Sequence, residues 1–447
     1  MKYLIYIILF LTQILVKAQG GWSFQELPQM PFKTSNNAVS SAIVNDTTYV
    51  YSFFGIDTTK EWDGIHSKAF RYNTVSQVWD TLPNIPDSLG GVIAAGASTI
   101  QNKIYLIGGY HVYSNDNEIS SYETIIFDPL TNSYSRGKNI PIEIDDHIQL
   151  TYKDSLIYVI SGWTSSIGGG NNTNKVQVYD AINDEWYFAN DMPNTSSFKV
   201  FGGSGSIIND TLIFAGGARY ATNFPLVEEL RKGVINTSNQ LEISWTIDTV
   251  IQNFKPYRSA CLSINNKAFW VGGSSVSYNY DGIAYNNSGG VSPNNFVTEY
   301  NNKTNKWAQY DVNQFKIMDL RGVSKVTQNT FIISGGMIEN QEISDKNHLL
   351  IYDTTFTSST DYTDIVNDTT SLEDNHLILI IEKNNYFYHI KNVDVESIMV
   401  FDLFGRTIKK SNSSSVCMLG EQGIYFLNVT LSNGSLFSEN YIGKPSA

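Results

Sequence analysis

The sequence predicts an all-β protein, a six-bladed β-propeller closed by its own N-terminal strand and followed by a small β-sandwich. Three observations carry this reading. A short apolar run ends in a glycine step at Phe54-Gly55, Gly108-Gly109, Ser161-Gly162, Gly216-Gly217, Gly272-Gly273 and Gly335-Gly336, at intervals of 54, 53, 55, 56 and 63 residues, and a fixed period near 50 residues marks propeller blades. After a polar loop of variable length, each of the first five steps is followed by a second strand and then a large ring: Tyr72 with Trp79, Phe127 with Tyr134, Tyr179 with Trp186, Val234 with Trp245, and Tyr300 with Trp307. The sixth copy has Tyr352 but no following Trp. The missing piece stands at the other end of the chain, where Trp22-Ser-Phe-Gln-Glu-Leu-Pro matches Trp79-Asp-Thr-Leu-Pro. A ring closed in this way leaves no open sheet edge.

Within each blade the inner hairpin turns on a polar pair: Asn45-Asp46, Gln101-Asn102, Lys153-Asp154, Asn209-Asp210, Asn265-Asn266 and Gln328-Asn329. These residues accept the backbone of tight hairpin turns and lie on one side of the disc. The loops after the glycine steps share the opposite side with the segments leading into each blade. Two are long, 218–230 and 274–296, and a ligand site is expected there. The pattern of apolar strand, double glycine, Tyr and Trp resembles the kelch repeat family, which implies the propeller fold over residues 19–356.

The chain starts with Lys2, an apolar run from Tyr3 to Val16 and the small residue Ala18. This reads as a signal peptide over residues 1–18. No later stretch is apolar for long enough to span a membrane. The net charge of −13 disfavours nucleic acid, which needs a basic face. Cys261 and Cys417 are expected as separate thiols in different domains, since neither sits in a paired-spacing motif.

Residues 357–374 are rich in Thr, Ser and Asp and read as a linker. Short alternating strands follow over 375–447. There Ile398-Met-Val-Phe-Asp-Leu-Phe-Gly405-Arg406, Gly423-Ile-Tyr-Phe-Leu-Asn-Val and Ser432-Asn-Gly434 resemble the C-terminal sorting domain of the type IX secretion system. That resemblance implies a Bacteroidetes-type bacterium, export through the periplasm, and a secreted or cell-surface protein that engages the type IX machinery. A monomer is expected.

Lys199, Arg258 and Arg321 fall near the starts of their blades, as does His147, and the post-glycine loops add Tyr110, Trp163, Arg219 and Tyr220. Cations with aromatic plates suit a carbohydrate or small carboxylate, because a guanidinium grips a carboxylate in two places and a ring stacks on a pyranose. Arginines here can equally tie blades together. On the ligand reading, three cations ring one channel mouth, and replacing Arg258 and Arg321 with Met removes binding with little loss of stability.

No metal site is expected, because the six histidines are scattered without ligand spacing. No serine nucleophile elbow, phosphate loop or copper-radical set is found, so neither catalytic residue nor cofactor is assigned. Residues 22–352 are also similar to the secreted bacterial N-acetylneuraminate mutarotases, at Pro31-Phe-Lys33, Asn45-Asp-Thr-Thr-Tyr-Val50 and Gly202 through Gly217. That family's Glu directly after a glycine step is replaced here by Ile56, Tyr110, Trp163, Ala218, Ser274 or Met337. The leading expectation is a carbohydrate-binding propeller without catalysis. A mutarotase with relocated acid and base, and a protein-interaction scaffold or adhesin, are the alternatives.

Overall fold

A computed structural model of the chain describes residues 16–17, 19–166 and 170–356, together with strands between 380 and 443. It divides into two compact units, Met1–Thr363 and Asp364–Ala447. The predicted linker and nearly all of the predicted signal segment lie outside the described residues.

The first unit is the six-bladed propeller. Blade one orders its strands Ala38–Val44, Thr47–Phe53, Ala69–Asn73 and Val78–Leu82 from the inside outward, every neighbour antiparallel. Blades two to five repeat this, with inner strands Gly96–Ile100, Ile148–Tyr152, Ser204–Ile208 and Ala260–Ile264. The sixth blade runs Ser324–Lys325, Thr330–Ser334, Asn347–Tyr352, and then the N-terminal strand Trp22–Leu27, with the two-residue strand Val16–Lys17 paired on its outer side. Inner strands of blades one to five adjoin in succession, and Ser324–Lys325 of blade six lies against Ala38–Val44.

The closure follows the predicted register. Trp22 stands opposite Tyr352, as Trp79 stands opposite Tyr72, Trp186 opposite Tyr179 and Trp307 opposite Tyr300. The recurrent ring also links blades, since Trp79 Nε1 donates to Pro28 O (3.0 Å), Tyr134 Oη to Pro83 O (3.0 Å) and Trp186 Nε1 to Lys138 O (2.8 Å). A large apolar body with one polar tip is what such a strut requires.

Blade four departs from the reading above. Trp245 pairs with Gly233, not Val234, whose partner is Ser244. A Cβ on Gly233 would lie 2.6 Å from the Trp245 ring, so the indole lies over the glycine and packs on Phe198 and Phe214. Val234 points outward, 51% exposed.

The glycine steps turn the chain out of each second strand with positive φ at both residues, for example 65° and 82° at Gly216 and Gly217. At Gly216 the need is also steric, since a Cβ would stand 1.8 Å from the Pro256 carbonyl oxygen. Ser161 holds one of these positions at φ 56° and compensates by donating its hydroxyl to carbonyls of the neighbouring segment, Val200 O at 2.8 Å among them.

The second unit contains two antiparallel sheets. One orders Ile380–Asn384, Phe387–Lys391 and Ser415–Cys417, the other Thr407–Ser411, Val395–Asp402, Gly423–Leu431 and Leu436–Gly443. The two long central strands of the second sheet hold most of the quoted sorting motif. Cys261, on an inner strand of the propeller, is a free thiol, and burial pushes its pKa well up.

Candidate functional site

Just before each inner strand the chain makes one bridge to the residue after that blade's glycine step: Ser35 to Ile56, Ile93 to Tyr110, Asp145 to Trp163, Phe201 to Ala218, Tyr257 to Ser274 and Met318 to Met337. The residue after each bridge turns with positive φ: Asn36, Ala94, Asp146, Gly202, Arg258 and Asp319. Together these six form a collar around the axis. The Asn36 amide donates to Asp319 O, Ala94 to Asn36 Oδ1, Asp146 to Ala94 O, Gly202 to Asp146 O, Arg258 to Gly202 O and the Leu320 amide to Arg258 O. Asn, Asp and Gly tolerate this backbone region; for Arg258, at φ 44°, it is strained and costs about 1–3 kcal/mol.

The side chain of Arg258 accounts for that position. Its Nε and Nη2 reach across to both oxygens of Asp146 (3.2 and 2.6 Å), and Nη1 donates to Asp319 Oδ1 (3.1 Å). Arg321 adds Nη1 to Asp146 Oδ1 at 2.7 Å and Nη2 to His147 O at 3.0 Å. Arg258, Asp146 and Asp319 are all at most 2% exposed. Burial by itself would raise the Asp146 carboxyl, but the two guanidiniums outweigh it and hold the group below its ordinary value. Asp319, with one arginine, is left raised by its burial.

This network separates two cavities. On the hairpin-turn side runs the central channel, about 760 Å³, lined by the inner strands and including His147, Gln149, Cys261 and Arg321. Burial lowers the His147 pKa to about 4, so its ring is neutral; Nε2 lies 3.0 Å from Gln149 Oε1. On the loop side is a cavity of about 230 Å³ lined by Tyr110, Glu118, Asp145, Asp146, Trp163, Phe201, Phe224, Arg258, Asn279 and Tyr285. Three of the eight predicted ligand residues, Tyr110, Trp163 and Arg258, line it. Tyr220 stands at its lip, 57% exposed, with its ring 5.8 Å from Trp163. Arg219 is exposed on the same loop.

The expected ring of cations is not what forms. Lys199 precedes the collar position Gly202 by three residues and lines neither cavity, Arg321 follows the collar position Asp319 by two and faces the channel, and only Arg258 occupies the collar. Both arginines are paired with carboxylates, so the mouth carries no uncompensated positive charge. His147 too belongs to the channel.

The cavity residues missed in the sequence are Glu118, Phe201, Phe224, Asn279 and Tyr285. Glu118 comes from the hairpin Tyr110–Val112 with Glu118–Ser120; Tyr285 comes from the long fifth-blade loop and packs on Phe224 at 4.8 Å between centroids. Asp145 receives the Ser120 hydroxyl at 2.6 Å. Its burial, then Asp146 beside it, raise its carboxyl well above the usual range. Burial also raises Glu118, against the pull of Arg258. Tyr110, 5% exposed, lines the cavity, and burial raises its hydroxyl well above the usual range. No group of three or more metal-ligating side chains occurs among the described residues.

The Kelch motif matches residues 151–193, the third blade. Kelch-like protein 41 of Rattus norvegicus is 27% identical over 126 residues, 28% of this chain and 20% of its own length. Kelch-like protein terF of Aspergillus terreus is 26% identical over 207 residues, 45% of this chain and 42% of its own. The chain thus spans less than half the length of these relatives. Among solved structures, that of YjhT superposes with a TM-score of 0.53 at 14% identity, covering 73% of this chain and 95% of that one. At that identity the likeness concerns the fold. The chain carries a Kelch motif on a six-bladed β-propeller, an architecture that serves to bind a protein or a ligand.

Proposed function

We propose that the loop-face cavity binds a carbohydrate. The observation that carries this is the lining itself: the rings of Tyr110, Trp163 and Tyr285 beside the polar side chains of Glu118, Asp145 and Asn279. Flat rings stack on the apolar face of a pyranose while carboxylates accept its hydroxyls, and a few placed polar groups among aromatic walls is how small-molecule sites gain orientation. The volume fits one sugar unit better than an extended glycan. The similarity to the mutarotase family adds support of the same kind, through ancestry.

Calorimetric titration with a panel of monosaccharides tests this. At least one should bind, and Trp163→Ala should weaken it about tenfold or more, a loss of 1.4 kcal/mol, with little change in melting temperature. A panel with no binder, or a Trp163→Ala variant that binds equally well, would sink the proposal.

A second reading, exchange of sugar anomers, has its own observation. Asp145 with its raised carboxyl is suited to give a proton and Glu118, lining the same cavity, to take one. Followed by NMR, exchange between anomers should then be faster with the protein than without it, and slowed by Asp145→Asn.

We further propose that the chain is exported and displayed through the type IX route, on the strength of residues 398–406 and 423–434. Cell fractionation should find the full chain outside the outer membrane, and a chain ending at Thr363 retained in the periplasm.

A further inference from the structure

The charge around the loop-face cavity is one-sided. Glu118, Asp145 and Asp146 line it, with Asp319 directly behind; against these four carboxyls stand two guanidiniums, Arg258 and Arg321. Arg258 is fully committed, and Arg321, which faces the channel, keeps only its Nε without a partner. Arg258 donates from Nε, Nη1 and Nη2 to Asp146 and Asp319, and Arg321 donates to Asp146 and to the His147 carbonyl. Asp146 is saturated in turn, one oxygen accepting from both arginines and the other from Arg258. Glu118 and Asp145 are left, with a single hydrogen bond between them, from Ser120 to Asp145. No cationic side chain faces either from within the cavity except Arg258, whose donors point elsewhere.

One further feature fits a missing cation. The rings of Tyr110, Trp163, Phe201, Phe224 and Tyr285 line the remaining space. A cation over such a face is attracted to its π electrons, more strongly when removed from water. A carboxylate-bearing ligand in the same place would meet Glu118 and Asp145 and would find Arg258 Nε, Nη1 and Nη2 already taken by Asp146 and Asp319.

We infer that the ligand of this cavity is an amino sugar with a free, protonated amine, its ammonium held by Glu118 and Asp145 and its ring against Trp163 and Tyr285. This rests on the carbohydrate reading above and replaces the acidic sugar expected from the cations in the sequence. The ammonium supplies the charge that the protein withholds, through charge-assisted hydrogen bonds to the two carboxyls that no arginine occupies.

The test compares glucosamine, glucose, N-acetylglucosamine, glucuronate and methylammonium by calorimetry on the full chain. Glucosamine should bind about tenfold or more tighter than glucose and N-acetylglucosamine, and glucuronate should not bind. Glu118→Gln, at a side chain open to the cavity mouth, should erase the preference while leaving the melting temperature in place; Asp145→Asn should act the same way. Equal binding of glucose and glucosamine overturns the amine and leaves the carbohydrate reading standing. Methylammonium binding as tightly as glucosamine, with glucose inert, overturns the sugar and leaves the cation. A glucosamine preference that survives both substitutions overturns the assignment to these two carboxyls.

Discussion

Arg258→Met is expected to reduce the unfolding free energy by about 3–5 kcal/mol, the usual result of removing one partner from a buried ion pair. The side chain is 1% exposed and joins blade five to Asp146 in blade three and Asp319 in blade six. Removing it leaves Asp319 with only the Ser35 hydroxyl and Asp146 with Arg321 alone. This reverses the expectation that the arginine could be replaced at little cost in stability. The pH dependence gives a second check. In the intact protein the arginines hold Asp146 below its ordinary value while Asp319 is already raised; without Arg258, burial should raise Asp319 further and lift Asp146 above the unfolded value near 3.9. A carboxyl with a raised folded pKa stabilises the fold only while protonated, and that contribution disappears as pH rises through the raised value. The deficit of the variant should therefore be smallest in mild acid and grow toward neutral pH. Urea unfolding at the two pH values measures it. A deficit below about 1 kcal/mol at neutral pH, the scale of an exposed pair, or one that does not change with pH, would show that Arg258 does not tie the blades together.

What was legible in the sequence was local. The glycine steps, the polar hairpin turns and the Tyr–Trp pairs each record a backbone or packing need met within one blade, and five of the six ring pairs stand in the register read from spacing, Trp22 with Tyr352 included. Trp245 failed because in blade four the space under the indole is made by Gly233, and a strand alignment that follows bulky residues slides onto Val234. The collar was misread for a related reason. In blades one to five its members stand two residues before the inner strand, at 36, 94, 146, 202 and 258, and share a backbone turn instead of a residue type. Aligning cations brought Lys199 and Arg321 into a ring they do not join, whereas counting back from the inner strands would have placed Asp146 beside Arg258. The cavity walls were legible only where they follow a glycine step, as Tyr110 and Trp163 do. Glu118, Phe224, Asn279 and Tyr285 come from loops of unequal length, and which of their side chains turn inward is decided by the neighbouring loops.

Trp22→Ala is expected to cost about 3–5 kcal/mol, the range for deleting a buried large ring. Trp22 is 1% exposed and packs edge-on to Phe269 of blade five at 5.1 Å and against Tyr352 at 5.0 Å, while Phe24 on the same strand stacks on Phe315 at 5.0 Å. The strand is paired along its whole length, Trp22 to Leu27 against Tyr352 to Asn347. Removing residues 22–27 altogether should do more than remove contacts. It bares Asn347–Tyr352 as an unpaired edge, a template for another chain, so by light scattering the shortened protein should associate or precipitate more than the intact one. Restoring the same strand after Phe356 separates position from content, because the hairpin order of the other blades would then hold in the sixth. If that rearranged chain is monomeric and melts close to the intact protein, closure depends on the strand itself. A shortened chain that remains monomeric and melts unchanged would mean that the sixth blade is stable with three strands, and that the N-terminal strand does not hold the ring shut.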